Sequence, residues 1–180
     1  MREGYADFHA IAGPIFREAI GERYSLAEIC CGNGNAGRMF QHDAGRLVFV
    51  DVKKVRGLDR TLGSIEVEHE VSLEGLQRYE IREDAVIAVH ACGTLTDMIL
   101  EKAVRARAAV AVMPCCYGKK RWNYRLEEEP DPRLLLYPRS IDYIDAVRVQ
   151  FLKEQGYRAG IRRLDARITP MNNIIIGIPG

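Results

Sequence analysis

The sequence predicts an α/β fold: a seven-stranded, mostly parallel sheet with helices on both faces and a terminal antiparallel hairpin strand. Three observations carry this. Short apolar strands alternate with helix-period segments, the pattern of a doubly wound sheet. A glycine-rich turn, Gly32-Asn33-Gly34-Asn35-Ala36-Gly37, lies between the first strand and the next helix. The last two strands are separated by too few residues for a crossover helix, so they must run antiparallel.

Composition agrees with that class. A chain of 180 residues suffices for one domain with its own core, and residues 1–180 are read as that domain. Hydrophobic residues make up 47% and charged ones 28%, a soluble, globular balance. The net charge of +1 gives no global pull toward nucleic acid or membrane. No apolar run reaches bilayer length, and the N-terminus lacks the apolar stretch of a signal peptide. A cytoplasmic protein with no membrane partner is expected. The five cysteines include two adjacent pairs, which rarely bond to one another, so reduced thiols are expected.

The elements follow in order. Phe8, Ile11, Ile15, Phe16 and Ile20 have helical spacing, with a break or restart expected at Gly13-Pro14. Residues 24–30 read as a strand, residues 36–42 as a helix and Arg46–Val50 as an apolar strand closed by Asp51. Ser64–Val71 alternates as a half-exposed strand, with Ile65, Val67, His69 and Val71 on one face. Ala85–His90 and Ala109–Met113 are continuous apolar runs, as in strands covered on both faces. Thr96 is expected to cap the helix between them. Residues 118–138 break the pattern and read as a lid or loop insertion. Ser140 then caps an amphipathic helix with Ile141, Ile144, Val147, Phe151 and Leu152 on its apolar face, ended by Gly156. Residues 157–167 and 173–178 are the final strands.

The glycine turn allows backbone to approach a ligand closely, and Asp51 is placed to accept from ribose hydroxyls. Neither feature separates S-adenosyl-L-methionine (SAM) from NAD. Glu28 does. A buried carboxylate needs a partner; the ammonium of SAM would supply one, whereas a pyrophosphate would be repelled. The plainer reading pairs Glu28 with a lysine or arginine.

With Glu28, Cys30, Gly32, Asn33, Gly34 and Asp51 in view, the sequence resembles the class I SAM-dependent methyltransferases, whose fold is Rossmann-like. Cys30 stands where their first motif more often has glycine. His90-Ala91-Cys92-Gly93-Thr94-Leu95-Thr96-Asp97 and Pro114-Cys115-Cys116-Tyr117 resemble the paired H-x-C-G-x-x-T-D and P-C-C-Y blocks of one subgroup. That subgroup includes the methyltransferase-like domain of the glutathione S-transferase C-terminal domain-containing protein and, more distantly, a tRNA 2′-O-methyltransferase family. The resemblance covers about residues 25–180. It implies SAM as cofactor, held by Glu28, Cys30, Gly32, Asn33, Gly34, Asp51, His90, Ala91 and Cys92. It implies an acceptor side shaped by the stretch from His90 to Asp97 and by Cys115, Cys116 and Tyr117, with His90 as candidate base. The N-P-P-Y block of amine methyltransferases is absent.

The inferred strand order brings all five cysteines and His90 to one sheet edge. Packing, a zinc site and ligand contact are the competing readings. No C-x-x-C spacing occurs, and no metal is expected. Lys119, Lys120, Arg121, Trp122 and Tyr124, with Arg158, Arg162, Arg163 and Arg167, would suit RNA, or simply a solvated loop and a charged edge strand. The expected activity is methyl transfer from SAM to an unidentified acceptor, with RNA a candidate. The alternatives are a non-catalytic SAM- or RNA-binding module and an NAD(P)-binding oxidoreductase domain.

Overall fold

The computed structural model describes residues 2–91, 93–115 and 140–180. Seven strands appear in it: β1 (Tyr24–Ile29), β2 (Ala44–Val50), β3 (Glu68–Ser72), β4 (Ala85–Val89), β5 (Ala109–Met113), β6 (Tyr157–Arg163) and β7 (Asn173–Pro179). They form one sheet in the order β3-β2-β1-β4-β5-β7-β6. Neighbours from β3 to β5 pair in parallel, while β7 runs antiparallel to both β5 and β6. The predicted alternation and terminal hairpin strand are therefore both present. The helices are α1 (Arg2–Ile20), α2 (Asn35–Met39), α3 (Leu58–Leu62), α4 (Thr94–Ala106) and α5 (Ser140–Glu154).

The side-chain period of two divides the sheet into two faces. Leu26, Leu47, Phe49, Ile87 and Ile176 pack under α1, α2 and α3 through Phe8, Phe16, Phe40 and Leu58. Ala27, Ile29, Val48, Val86, Val110 and Ile175 pack under α4 and α5 through Ile99, Leu100 and Leu152. β4 and β5 are buried at every position, as their continuous apolar runs required.

Several boundaries differ from expectation, each for a local reason. α1 is not broken at Gly13-Pro14 but runs through it. Pro14 and Ala10, the residue whose carbonyl loses its partner, are exposed, so water can take that bond. Phe8, Ala12 and Phe16 meanwhile stay fully buried on the opposite face and hold the axis. α2 stops at Met39 because the chain turns at fully buried Phe40, whose carbonyl accepts from Asp43 and Ala44. β3 begins at Glu68, not Ser64, because the unexpected short α3 ends in a turn closed by Ser64 Oγ donating to the Thr61 carbonyl (2.7 Å). Thr96 lies inside α4, not at its cap, because its hydroxyl turns back to the Ala91 carbonyl (2.6 Å). β6 ends at Arg163, since Arg167 folds back onto Asp165 in a turn.

The apolar face of α5 is also rotated from the predicted one. Ile144 and Leu152 are buried, but Ile141, Val147 and Phe151 are only half-buried. The buried side includes Asp142, Asp145 and Arg148, whose ion pairs turn it inward. The start at Ser140 and stop before Gly156 agree with the sequence, and Gly156 adopts φ +81°. The proposed lid, residues 118–138, lies outside the described residues.

Tyr157 ties the start of β6 to the end of α4 and the residue before β5. Its buried hydroxyl lies 2.9 Å from the Ala103 carbonyl and 3.1 Å from that of Ala108. Tyr157→Phe should lower stability by about 1–2 kcal/mol, the cost of losing a buried hydrogen bond. Urea denaturation measures it; an unchanged midpoint would count against that role.

Candidate active site

Strand order reverses between β1 and β4: the chain builds outward to β2 and β3, then crosses to the other side. In open α/β sheets, ligands bind at this switch point, beyond the carboxyl ends of the strands. The loops after β1, β2 and β4 leave the sheet at this edge, as does the end of β5, and they carry most of the candidate residues.

The loop after β1 is built from left-handed residues. Cys30, Gly32 and Gly34 have φ of +56°, +53° and +73°. Cys30 is thus a side-chain-bearing residue in a conformation that costs roughly 1–2 kcal/mol outside glycine. The third glycine is needed for space: a Cβ on Gly37 would come within 2.7 Å of Glu28 Oε2 and 2.8 Å of Phe49. Asn33 is exposed and its side chain accepts from the Asn35 amide (3.3 Å), a local turn that leaves it at the rim.

Glu28 lies at the end of β1, 4% exposed, under α2. Neither sequence reading anticipated its protein partner, which is the Gly37 amide, donating to Oε2 at 2.8 Å. Among the described residues, no lysine or arginine pairs with it. Burial pushes its carboxyl up to about 8; the Gly37 and Ala36 amides partly offset this, and the charge of Asp51 adds to it. Asp51 follows β2 and accepts from the Gly32 amide at 2.9 Å, pinning the glycine loop to the neighbouring strand. The Cys31 amide makes a second tie, to the Val50 carbonyl (3.0 Å).

The loop after β4 lies across the switch point. His90 has φ +69°, and its amide donates to the Met113 carbonyl at the end of β5 (3.0 Å). Ala91 is buried, and Gly93 takes φ +60° and ψ −130°. Cys115 follows β5, half-buried. Cys92, Cys116 and Tyr117 lie outside the described residues. Cys30 packs with the α4–α5 layer and Cys31 with the α1–α2 layer, so this adjacent pair divides between opposite faces. Among the described residues, no three His, Cys, Asp or Glu side chains are grouped to hold a metal ion.

Residues 7–121 match a family described as a methyltransferase domain. The chain belongs to this methyltransferase-domain family.

The glutathione S-transferase C-terminal domain-containing protein of Homo sapiens is 26% identical over 122 residues, covering 52% of this chain and 19% of that protein. Its Xenopus laevis counterpart is 22% identical over 193 residues, covering 86% and 31%. The chain thus spans less than a third of the length of either relative. Among solved structures, a magnesium protoporphyrin IX methyltransferase from Synechocystis, with SAH bound, superposes at TM-score 0.63 and 12% identity, covering 98% of this chain and 84% of that one. An rRNA methylase from Streptococcus thermophilus superposes at TM-score 0.58 and 16% identity, covering 97% and 93%. These likenesses are of fold.

Several features of this methyltransferase domain escaped the sequence reading. Asp97 turns away from the acceptor side and is buried against Arg148. Tyr5 at the start of α1 lies near enough to Glu28 that, after burial, the Glu28 charge helps raise its phenol pKa. Val52 and Leu73 are exposed large apolar residues just beyond the ends of β2 and β3, beside Asp51. An apolar residue next to Asp51 was the available signal. The late arginines divide. Arg163 pairs with Asp142 and Arg167 with Asp165, whereas Arg158 and Arg162 line a groove of about 430 Å³ between α1 and β6, four strands from β1.

Two outcomes follow from this loop. Cys30→Gly should be more stable than Cys30→Ala by about 1 kcal/mol, because both lose the thiol and only glycine is at ease at φ +56°. Equal denaturation midpoints would show no strain there. Glu28 titrates higher in the folded state (about 8) than in the unfolded chain (4.5), so its contribution is present at low pH and is lost as pH rises between those values. Glu28→Gln should flatten this decline, which amounts to at most about 1.4 kcal/mol per pH unit. Melting curves from pH 5 to 8 that stay parallel for both proteins would contradict the assignment.

Proposed function

We propose that this domain binds S-adenosyl-L-methionine at the β1–β4 switch point and transfers its methyl group to an acceptor, with RNA the first acceptor class to test. The observation that carries the reading is Glu28. This carboxylate is buried, accepts only backbone amides among the described residues, and titrates high because burial strips it of water, with the charge of Asp51 adding. An α-ammonium group arriving at this edge would supply a countercharge. A dinucleotide brings no cation to this carboxyl through its phosphates, which disfavours the oxidoreductase alternative.

SAM supplies, when bound, a methyl group on a cationic sulfonium. The chain's part is binding, orientation and exclusion of water. Asp51 would exchange or share its Gly32 contact for ribose hydroxyls. Gly32 keeps a side chain out of the approach and Gly34 lets the turn sit against Leu58 and Phe49, with Cys30 and Asn33 shaping the loop around them. Val52 and Leu73 offer apolar surface for the adenine. His90, Ala91 and Cys92 would close the cofactor's other side, and Cys115, Cys116 and Tyr117 would face the acceptor. His90 is the side chain on that loop suited to take a proton from an acceptor hydroxyl.

The reading makes measurable claims. SAH should raise the melting temperature by mass action on the folded state, and NAD should not; stabilisation by NAD alone would overturn the assignment. Asp51→Ala should weaken SAH binding by about 1.5–3 kcal/mol, the worth of hydrogen bonds to a charged group. Binding at pH 7 should also release a proton, because an ammonium drives Glu28 from its protonated to its charged form. Calorimetry in buffers of different ionisation enthalpy reads that proton, and Glu28→Gln should abolish its release. Labelled SAM incubated with tRNA and rRNA tests the acceptor; a non-catalytic binding module would bind SAH and transfer nothing to either.

A further inference from the structure

We propose that Arg148 is a positioning residue for the methyl-transfer site: from inside α5 it fixes the course of the 90–93 loop through Asp97 and Gly93. The proposal rests on the SAM-binding reading above.

The loop needs holding. His90 sits at φ +69°, and Gly93 at φ +60° and ψ −130°. Such conformations persist only where surrounding contacts over-determine them. Three fastenings are visible. The His90 amide reaches the Met113 carbonyl, and the Thr96 hydroxyl reaches the Ala91 carbonyl. The third is Arg148. Its Nε and Nη2 grip both oxygens of Asp97 at 2.9 and 3.2 Å, and Nη2 also makes a long 3.4 Å contact with the Gly93 carbonyl. Asp97 stands in the first turn of α4, immediately after the loop, so this fork anchors the loop's exit.

Arg148 is itself over-determined. Its Nη1 donates to Asp145 at 3.0 Å. Asn173 at the start of β7 donates to both Asp142 and Asp145, each at 2.9 Å. Arg148 and Asp97 are each 3% exposed, and Asp145 is fully buried. Apolar side chains of similar volume could fill this space without the desolvation cost of buried charge. They could not fix the direction of a carbonyl. A planar guanidinium bonded on both edges does, and a lysine lacks that fork. The network therefore places the loop rather than merely filling the core.

The test compares Arg148→Lys, which keeps the charge and loses the fork, with wild type. Asp97→Asn serves as the second variant should the lysine protein fail to fold. His9→Ala, which breaks the part-buried His9–Asp43 contact at the other end of the strands, controls for lost stability. Hydrogen exchange across residues 86–100 and SAH affinity by calorimetry are read well below each melting temperature. Arg148→Lys should speed exchange at residues 90–94 at least tenfold and weaken SAH binding at least fivefold, while His9→Ala leaves both unchanged. Loop exchange and SAH affinity within twofold of wild type in the folded variant would overturn the proposal. So would equal changes in the His9→Ala control. If wild type itself binds no SAH, the functional reading fails, and the exchange data still decide whether Arg148 holds the loop.

Discussion

A carboxylate buried with no cation beside it among the described residues sets the architecture of the candidate site. Within those residues Glu28 is met not by a lysine or arginine but by the amides of α2. That choice brings α2 down onto β1 so closely that position 37 must be glycine. The tight approach curls the preceding loop through three left-handed residues. Asp51 then takes the Gly32 amide, and the ends of β1 and β2 become a single fixed rim. Two carboxylates end up close enough to raise the cost of charging one of them. A cationic ligand would relieve that cost, so an affinity for one would share its origin with the strain of the site.

The opposite rim depends on a different kind of constraint. The loop after β4 is held by buried polar contacts from α4 and α5, not by glycines alone. The ligand edge therefore has one wall shaped by backbone conformation and one shaped by an ion-pair network. A network buried between two helices and the start of β7 links the site to elements that do not touch it directly.

Much of this was legible in the sequence, for identifiable reasons. Continuous apolar runs located β4 and β5, because strands buried on both faces admit nothing else. The short link before β7 fixed its direction. Glu28 stood out because a carboxylate in an apolar strand is chemically anomalous. Other features left weaker traces. α3 spans five residues, too few to show a helical period. The inward face of α5 is hard to read from the apolar pattern because it carries Asp142, Asp145 and Arg148, charged residues whose spacing of three sets them on one side of the helix. Asp97 was assigned to the acceptor side because a motif shows which residues recur together, not which way each side chain points. The left-handed state of Cys30 was hinted at only by the glycine more usual at that position.

The placement of β7 has a consequence for how the molecule is made. The strand latest in sequence is not at the margin of the sheet but between β5 and β6, and six of its seven residues are buried. A chain emerging from the ribosome would carry β6 with no strand to bind, and β5 with an open flank, until residues 173–179 had cleared the exit. The α1 half of the core could gather early, but the sheet could close only after synthesis of this segment was finished. Until then β5 and β6 would each present an unpaired edge, the kind of surface that invites pairing between chains. The vulnerable interval in this fold's biogenesis would therefore last until residues 173–179 have been made, and it would close when β7 inserts.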